Sequence, residues 1–330
     1  MKRKLAILFI TSIVLFSLSG CGIFIKKIPQ GEIAIPCPNG KDHMIKIGTT
    51  NFHYTEYDAP GKDVLMVHGF GSSTYSWQKV APILQQKGYH VYAIDMKGFG
   101  WSDKPAADKN VKYDAITLME EVCACMDAMG IKNVVYVANS LGGAIGVLMA
   151  MQHPEYINKM VLLDPAGYPQ KKPLVIRMEA IPGAVCTIKA LFGKWVAKWN
   201  LKEVTYNKDW VSQEQIDNYY ARLITVGALD AQVSIIEKLD FNFFEPYLKS
   251  VPAIDQKTLL VWGAEDEWIP LNVGYRYRHN LPNANLVIVE HCGHTPQEEL
   301  PGVTANLILD FIDGKITKDM TIGPFSKENR

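Results

Sequence analysis

The chain has 330 residues, 48% of them hydrophobic and 21% charged, and its 34 basic and 34 acidic side chains leave a formal net charge of zero. That length can bury a full core, and it suits one large α/β domain with an insertion. The composition is ordinary for a globular protein, and the absence of a basic patch argues against nucleic acid as a partner.

The first 20 residues read as an export signal rather than as part of the fold. Lys2, Arg3 and Lys4 form a positive start, and residues 5–18 are apolar apart from Thr11, Ser12 and Ser17. The apolar run is short for a membrane span and ends in small residues. Leu18-Ser19-Gly20-Cys21 resembles the lipobox of bacterial lipoproteins. The resemblance implies acylation of Cys21 and a place in the bacterial cell envelope, on a membrane, facing the periplasm or the exterior. Each buried acyl CH₂ contributes about 0.8 kcal/mol, so several chains together would anchor the protein. A plain signal peptide and an uncleaved anchor are the alternatives. Cys37, Cys123, Cys125, Cys186 and Cys292 remain, an odd number without metal-ligand spacing. Most of them read as small buried apolar residues.

Residues 21–42, with Pro29, Gly31, Pro36, Pro38 and Gly40, read as a tether. Two short strands follow at 44–47 and 52–57. Then strand-like and helix-like segments alternate: strand 64–67, helix 74–87, strand 89–94, helix 113–129, strand 133–137, helix 141–151, strand 160–163. This rhythm predicts a mostly parallel sheet with helices on both faces, starting at about residue 43 and running to 167. Residues 168–250 break it. Trp195, Trp199, Trp210, Tyr219 and Tyr220 fall in helical stretches, and Ser212 to Gln215 reads as a helix start. The segment is too long for an ordinary connection and reads as an inserted helical cap. The sheet resumes at 258–262 and 284–289, within a second core part at 251–314. A last helix covers 297–312, and 315–330 read as a weakly ordered polar tail.

The most informative stretch is Val134 to Gly143, where a buried strand meets Ser140 and passes directly into a helix of small residues. Such a turn exposes the serine hydroxyl beside free N–H groups of a helix start. Ser140 could instead be a simple helix N-cap. Ala138-Asn139-Ser140-Leu141-Gly142 resembles the nucleophile elbow of the α/β-hydrolase family, with alanine in the first glycine position. Three further loops extend the resemblance. His68-Gly69-Phe70-Gly71 is similar to the family's oxyanion loop, which implies that the backbone N–H groups of Phe70 and Leu141 hold an oxyanion. His68, Gly69 and Gly71 would shape that loop. Asp95-Met96-Lys97-Gly98-Phe99-Gly100 resembles a turn that marks the fold, with Asp95 as a loop-fixing residue. Asp266 matches the family's acid, with Glu265 and Glu267 as local alternatives. His294 matches the general base, with His291 as its competitor.

The resemblance therefore implies a catalytic triad of Ser140, Asp266 and His294 in the chain order of this fold. Serine needs an imidazole to remove its proton, and the imidazole needs a carboxylate to fix its tautomer. The expected reaction is hydrolysis of a small ester or lipid-like substrate of short to medium acyl length through an acyl-enzyme, without cofactor or metal. The aromatic cap suits an apolar acyl group. Three other readings stay open. Asn139 to Gly143 also looks like the elbow of hydrolases that cleave carbon–carbon bonds of ring-fission products. A haloperoxidase-like or perhydrolase activity could use the same triad. A surface-binding lipoprotein could keep the fold without catalysis.

Overall fold

The computed structural model describes residues 26–169, 193–238 and 251–325. The expected export signal, Cys21, Cys186 and parts of the expected cap lie outside the described residues. Nine strands form one sheet: β1 (Lys41–Ile47), β2 (Thr50–Tyr57), β3 (Asp63–Val67), β4 (His90–Ile94), β5 (Val134–Asn139), β6 (Ile157–Leu163), β7 (Lys257–Gly263), β8 (Ala284–Val289) and β9 (Met320–Ile322). Their order is β1-β2-β4-β3-β5-β6-β7-β8-β9. The pairs β1–β2 and β2–β4 are antiparallel, and every later pairing is parallel. The fold is thus the expected α/β hydrolase architecture, a mostly parallel sheet between helices.

The strand sequences explain why both faces are covered. Leu65 and Val67 of β3 enter one apolar cluster, and Val64 and Met66 enter the other. Tyr136 and Ala138 of β5 divide from Val135 and Val137 in the same way. Side chains of a strand alternate in direction, so an unbroken apolar run demands helices on both sides. On the first side lie α2 (Ala115–Met129), α3 (Leu141–Gln152) and α7 (Leu271–Asn280). On the second lie α1 (Ala81–Gln86) and α9 (Pro301–Ile312). Between β6 and β7 come α4 (Lys194–Val204), α5 (Gln213–Leu223) and α6 (Ala228–Lys238), and the short α8 (Pro296–Glu299) precedes α9. Ser212 opens α5 with the full capping box that its sequence suggests.

Four details differ from the sequence expectation. The helix expected at 74–87 is a 3-10 turn at Thr74–Trp77 followed by α1. Pro82 supplies no N–H and its ring crowds the carbonyl four residues back, so the two pieces cannot fuse. Helix α7 was not visible in the sequence because Gly274 weakens its helical signal. A Cβ on Gly274 would lie 2.8 Å from the Trp262 ring, so the glycine sets how closely α7 meets β7. The expected tether is fastened from Ile28 onward. Ile28 bridges Thr225 of the cap, and Gln30 exchanges two hydrogen bonds with the backbone of Lys104. The expected polar tail carries β9, whose backbone extends the sheet beyond β8.

Candidate active site

Strand β5 is buried along its whole length and ends at Ser140, whose φ of 51° and ψ of −116° are costly for a residue with a Cβ. Three backbone bonds hold that conformation. The Ser140 N–H donates to Leu163 O at 3.0 Å, and Ser140 O accepts from Ala144 at 3.1 Å and Ala166 at 3.0 Å. The elbow must approach β3 closely: a Cβ on Gly142 would lie 2.5 Å from Val67 O and 2.7 Å from His68 O. Ser140 occupies the N-cap position of α3, yet its side chain makes no capping hydrogen bond. The simple N-cap reading therefore fails, and Ser140 borders a cleft.

Asp266 and His294 meet in the same place. His294 Nδ1 and Asp266 Oδ2 are 2.7 Å apart and both side chains are buried. Asp266 Oδ1 accepts from the N–H groups of Trp268 at 2.7 Å and Ile269 at 2.9 Å, which fixes the carboxylate. An ionised carboxylate only accepts, so Nδ1 carries the proton and Nε2 keeps its lone pair. The competitors go elsewhere. Glu265 accepts from Cys292 N at 3.0 Å, Glu267 is exposed, and His291 stacks on Tyr206. Trp268 lies over the His294 ring with centroids 5.7 Å apart.

Several supports of this site carry no motif signal. Asn139 donates from Nδ2 to His294 O at 3.0 Å and to Leu163 O at 3.1 Å, tying the elbow to the histidine loop. The His294 N–H donates to Val204 O of the cap at 2.8 Å. Glu299 accepts from Tyr206, Gly293 and Thr295 N–H groups. Its burial, with a smaller push from Asp266, raises its pKa to about 7 against the opposing effect of those bonds. Glu298 accepts from Ser76 and from Tyr219 of the cap, and Tyr219 also meets Ser72 of the oxyanion loop at 3.0 Å.

The loop after β3 is built as the residues suggest. His68 Nε2 accepts from Met96 N–H at 3.1 Å, and Nδ1–H donates to Gly69 O at 2.7 Å, so both ring nitrogens are used. Burial holds His68 below the ordinary histidine range, in keeping with a neutral ring. Asp95 accepts from Thr74 N, Trp101 N and His53 Nδ1 at 2.6, 2.8 and 2.7 Å. Phe70 borders the cleft, and Leu141, as the first residue of α3, has an N–H with no acceptor inside the helix. Gly69 approaches the elbow so closely that a Cβ would fall 2.9 Å from Ser140 Cβ.

The cleft has a volume of about 70 Å³, and Ser140, His294, Gly69, Phe70 and Gly71 border it. Among the described residues, its cap wall is made by Ala197, Leu201, Val204 and Leu223 together with Asn200, Tyr219 and Gln232. Of the aromatic residues expected in the cap, Tyr219 borders the cleft. Trp195 points to solvent, and Trp210 packs into the core beneath the sheet. The aromatic walls come from Phe70, Trp268 and Tyr219. Among the described residues, Asp164, Asp266 and His294 bring possible metal-ligand atoms within 4.8 Å of one another. Within this group His294 Nδ1 and Asp266 Oδ2 are hydrogen-bonded to each other.

Known proteins place this architecture. A sequence profile for the alpha/beta hydrolase fold matches residues 63–183 and 207–301. The chain is 33% identical over 264 residues to the "Uncharacterized hydrolase YugF" of Bacillus subtilis (strain 168), covering 79% of this chain and 94% of that one. It is 28% identical over 282 residues to a 2-hydroxy-6-oxo-6-phenylhexa-2,4-dienoate hydrolase of Burkholderia cepacia, covering 80% and 93%. Among solved structures, a membrane phospholipase A is similar with a TM-score of 0.70 and 27% identity, over 84% of this chain and 86% of that one. With its fold, its strand order and its matched residues in agreement, the chain belongs to the α/β-hydrolase fold family and is a hydrolase enzyme.

Proposed function

We propose that the protein is a serine hydrolase that cleaves carboxylic esters with an apolar acyl group. One observation carries the reading: Ser140 and an Asp266-paired His294 border a single cleft whose described walls are neutral and largely apolar. In the cycle, His294 Nε2 takes the Ser140 proton as Oγ attacks the carbonyl carbon. The negative oxygen sits on the N–H groups of Phe70 and Leu141, donors already oriented before charge develops. His294 then passes its proton to the departing alcohol, and water repeats the sequence on the acyl-enzyme. Asp266 holds the tautomer and offsets the imidazolium charge.

A second reading has support from the dienoate hydrolase relative and from Asn139 beside Ser140. A dienoate carries a carboxylate, which favours a cationic partner in the cleft. Among the described residues lining the cleft there is no lysine or arginine, and this favours the neutral ester. A fluorophosphonate probe is expected to label Ser140, and p-nitrophenyl esters are expected to turn over. Each added acyl CH₂ should raise kcat/KM about fourfold until the cleft is filled, since its burial contributes about 0.8 kcal/mol. Labelling with turnover of a 2-hydroxy-6-oxo-dienoate and none of the esters would replace the ester reading by the second one.

The lipobox-like Leu18 to Cys21 supports a membrane-anchored envelope enzyme acting on lipid-like or exogenous esters. A Cys21→Ser chain should then leave the membrane fraction while keeping its activity on soluble esters. Unchanged membrane retention in that variant would sink the acyl anchor.

A further inference from the structure

A second cavity, used by no step of the cycle above, shares helix α5 with the catalytic cleft. Its volume is about 260 Å³, against about 70 Å³ for the cleft. A cavity of about 150 Å³ takes up a benzene-sized molecule, so this one has room for about ten non-hydrogen atoms. Residues from three parts of the chain line it: Ile35 to Pro38 before β1, Thr74 and Tyr75 of the 3-10 turn, and Asn218 and Arg222 of α5. Neighbouring rows of α5 serve the two spaces. Tyr219 and Leu223 border the cleft, while Asn218 and Arg222 border the cavity.

Arg222 is the group in this cavity that lacks a partner. Only 8% of it is exposed. Its guanidinium lies over the Trp101 and Tyr75 rings, which favour a cation but leave the in-plane N–H groups unserved. Nη1 donates to Asn218 O at 3.1 Å and to Asn218 Oδ1 at 3.0 Å. Nε is buried with no hydrogen bond. Neither Nε nor Nη2 has an acceptor among the described residues, and no carboxylate among them pairs with Arg222. That free edge is one that a guanidinium offers to a carboxylate through two parallel N–H bonds. Buried donors left unmade are costly, so the edge favours an occupant.

The acids nearby are committed elsewhere. Asp42 borders the cavity, and its oxygens accept from Cys37 N–H at 2.7 Å, Thr55 Oγ1 at 2.8 Å and His53 Nε2 at 3.1 Å. Asp95 serves Thr74, Trp101 and His53. Glu214 also borders the cavity and is exposed. Asp42 and Glu214 together disfavour a dianion such as phosphate, whereas one guanidinium edge suits a monoanion. Ile35, Pro36 and Pro38 offer its carbon body an apolar wall.

We propose that this cavity is a second ligand site, for a small organic carboxylate held on the Nε–Nη2 edge of Arg222. The site is separate from the Ser140 cleft, and its occupancy does not depend on which reaction Ser140 performs. Isothermal titration calorimetry of the whole chain with acetate, hexanoate, octanoate, benzoate and inorganic phosphate tests it. The expected result is one saturable site with a Kd below roughly 10 mM for octanoate or benzoate, weaker binding of acetate, and none of phosphate. Arg222→Lys keeps the charge but loses the two-pronged edge, and should weaken binding at least about tenfold. Ile35→Trp fills the cavity, leaves Arg222 in place and should weaken binding as much. Leu201→Trp narrows the catalytic cleft and should leave binding unchanged. Each variant is first shown to keep the parent's thermal transition. No saturable heat with any carboxylate, or phosphate bound more tightly than all of them, would overturn the proposal. Binding that survives in Arg222→Lys and Ile35→Trp but is lost in Leu201→Trp would overturn it too, by placing the carboxylate in the cleft.

Discussion

Replacing Ser140 with glycine is expected to lower ester turnover by about 10⁶-fold and to stabilise the fold by about 1 kcal/mol. The first figure is the loss seen when a triad nucleophile is removed and only binding and oxyanion donors remain. The second follows from the backbone. At φ 51° and ψ −116° the Ser140 Cβ is held in a region that costs about 1 to 3 kcal/mol for a non-glycine residue. Glycine relieves that strain but adds about 0.5 to 1 kcal/mol of unfolded-chain entropy. Ser140→Ala is the control: it loses the hydroxyl and keeps the Cβ, so turnover collapses without a gain in stability. Urea midpoints and p-nitrophenyl ester rates on the three proteins check both halves. Opposite signs for glycine and alanine on stability, with both inactive, would mean that the elbow stores strain for the sake of the nucleophile. Residual turnover of the glycine variant at a tenth of the parent rate would remove Ser140 from the chemistry.

The same serine shows where sequence reasoning reaches and where it stops. Ser140, Asp266 and His294 each follow a strand, and each lies in a short motif whose glycines and prolines dictate a turn. Local pattern alone brings such loops to the carboxyl edge of a parallel sheet, where ligands gather. His68 and Asp95 were legible for the same reason, as parts of contiguous turns. The residues that complete the site are different in kind. Glu298 reaches Ser76 across 222 positions, and Asn139 reaches His294 across 155. No spacing rule connects residues so far apart.

The cap was the least legible part. Its aromatic residues suited an apolar acyl group, but large apolar side chains on helices can face either a cleft or a core. The structure sends Trp210 into the core and Trp195 to solvent, while Tyr219 borders the cleft beside aliphatic and amide side chains of the cap. Helical period locates an apolar face but not what that face meets. Arg222 is a related case. A cap arginine would ordinarily reach water, yet this one is buried with its guanidinium over the Trp101 and Tyr75 rings, 4.6 and 5.5 Å from their centroids. It thereby ties α5 to the turn that Asp95 organises.

Asp95 is where the largest loss of stability is expected. Its Oδ1 accepts from Thr74 N–H, and its Oδ2 accepts from Trp101 N–H and His53 Nδ1–H. Asp95→Ala leaves two buried backbone donors and a buried histidinium without their acceptor. Removing one partner of a buried pair typically costs about 3 to 5 kcal/mol, a large share of the roughly 5 to 15 kcal/mol that holds a domain together. Asp95→Asn should be nearly as harmful, because one acceptor oxygen becomes an NH₂ facing donors. The pH dependence separates this account from generic damage. Burial works against a charged His53, yet Asp95 and Asp42 outweigh it and raise its pKa. That contribution is complete below the ordinary histidine range near 6.5 and is lost as pH rises through the raised value. His68 has the opposite sign: burial lowers its pKa, so its contribution is present above about 6.5 and is lost as pH falls. Asp95 favours the charged form of both histidines. In Asp95→Ala the alkaline decline should therefore flatten and the acid decline should steepen, measured by urea denaturation over roughly pH 5 to 9. A variant with the parent's midpoint, or one whose pH profile shifts without changing shape, would show that Asp95 is not the hub that holds these two histidines.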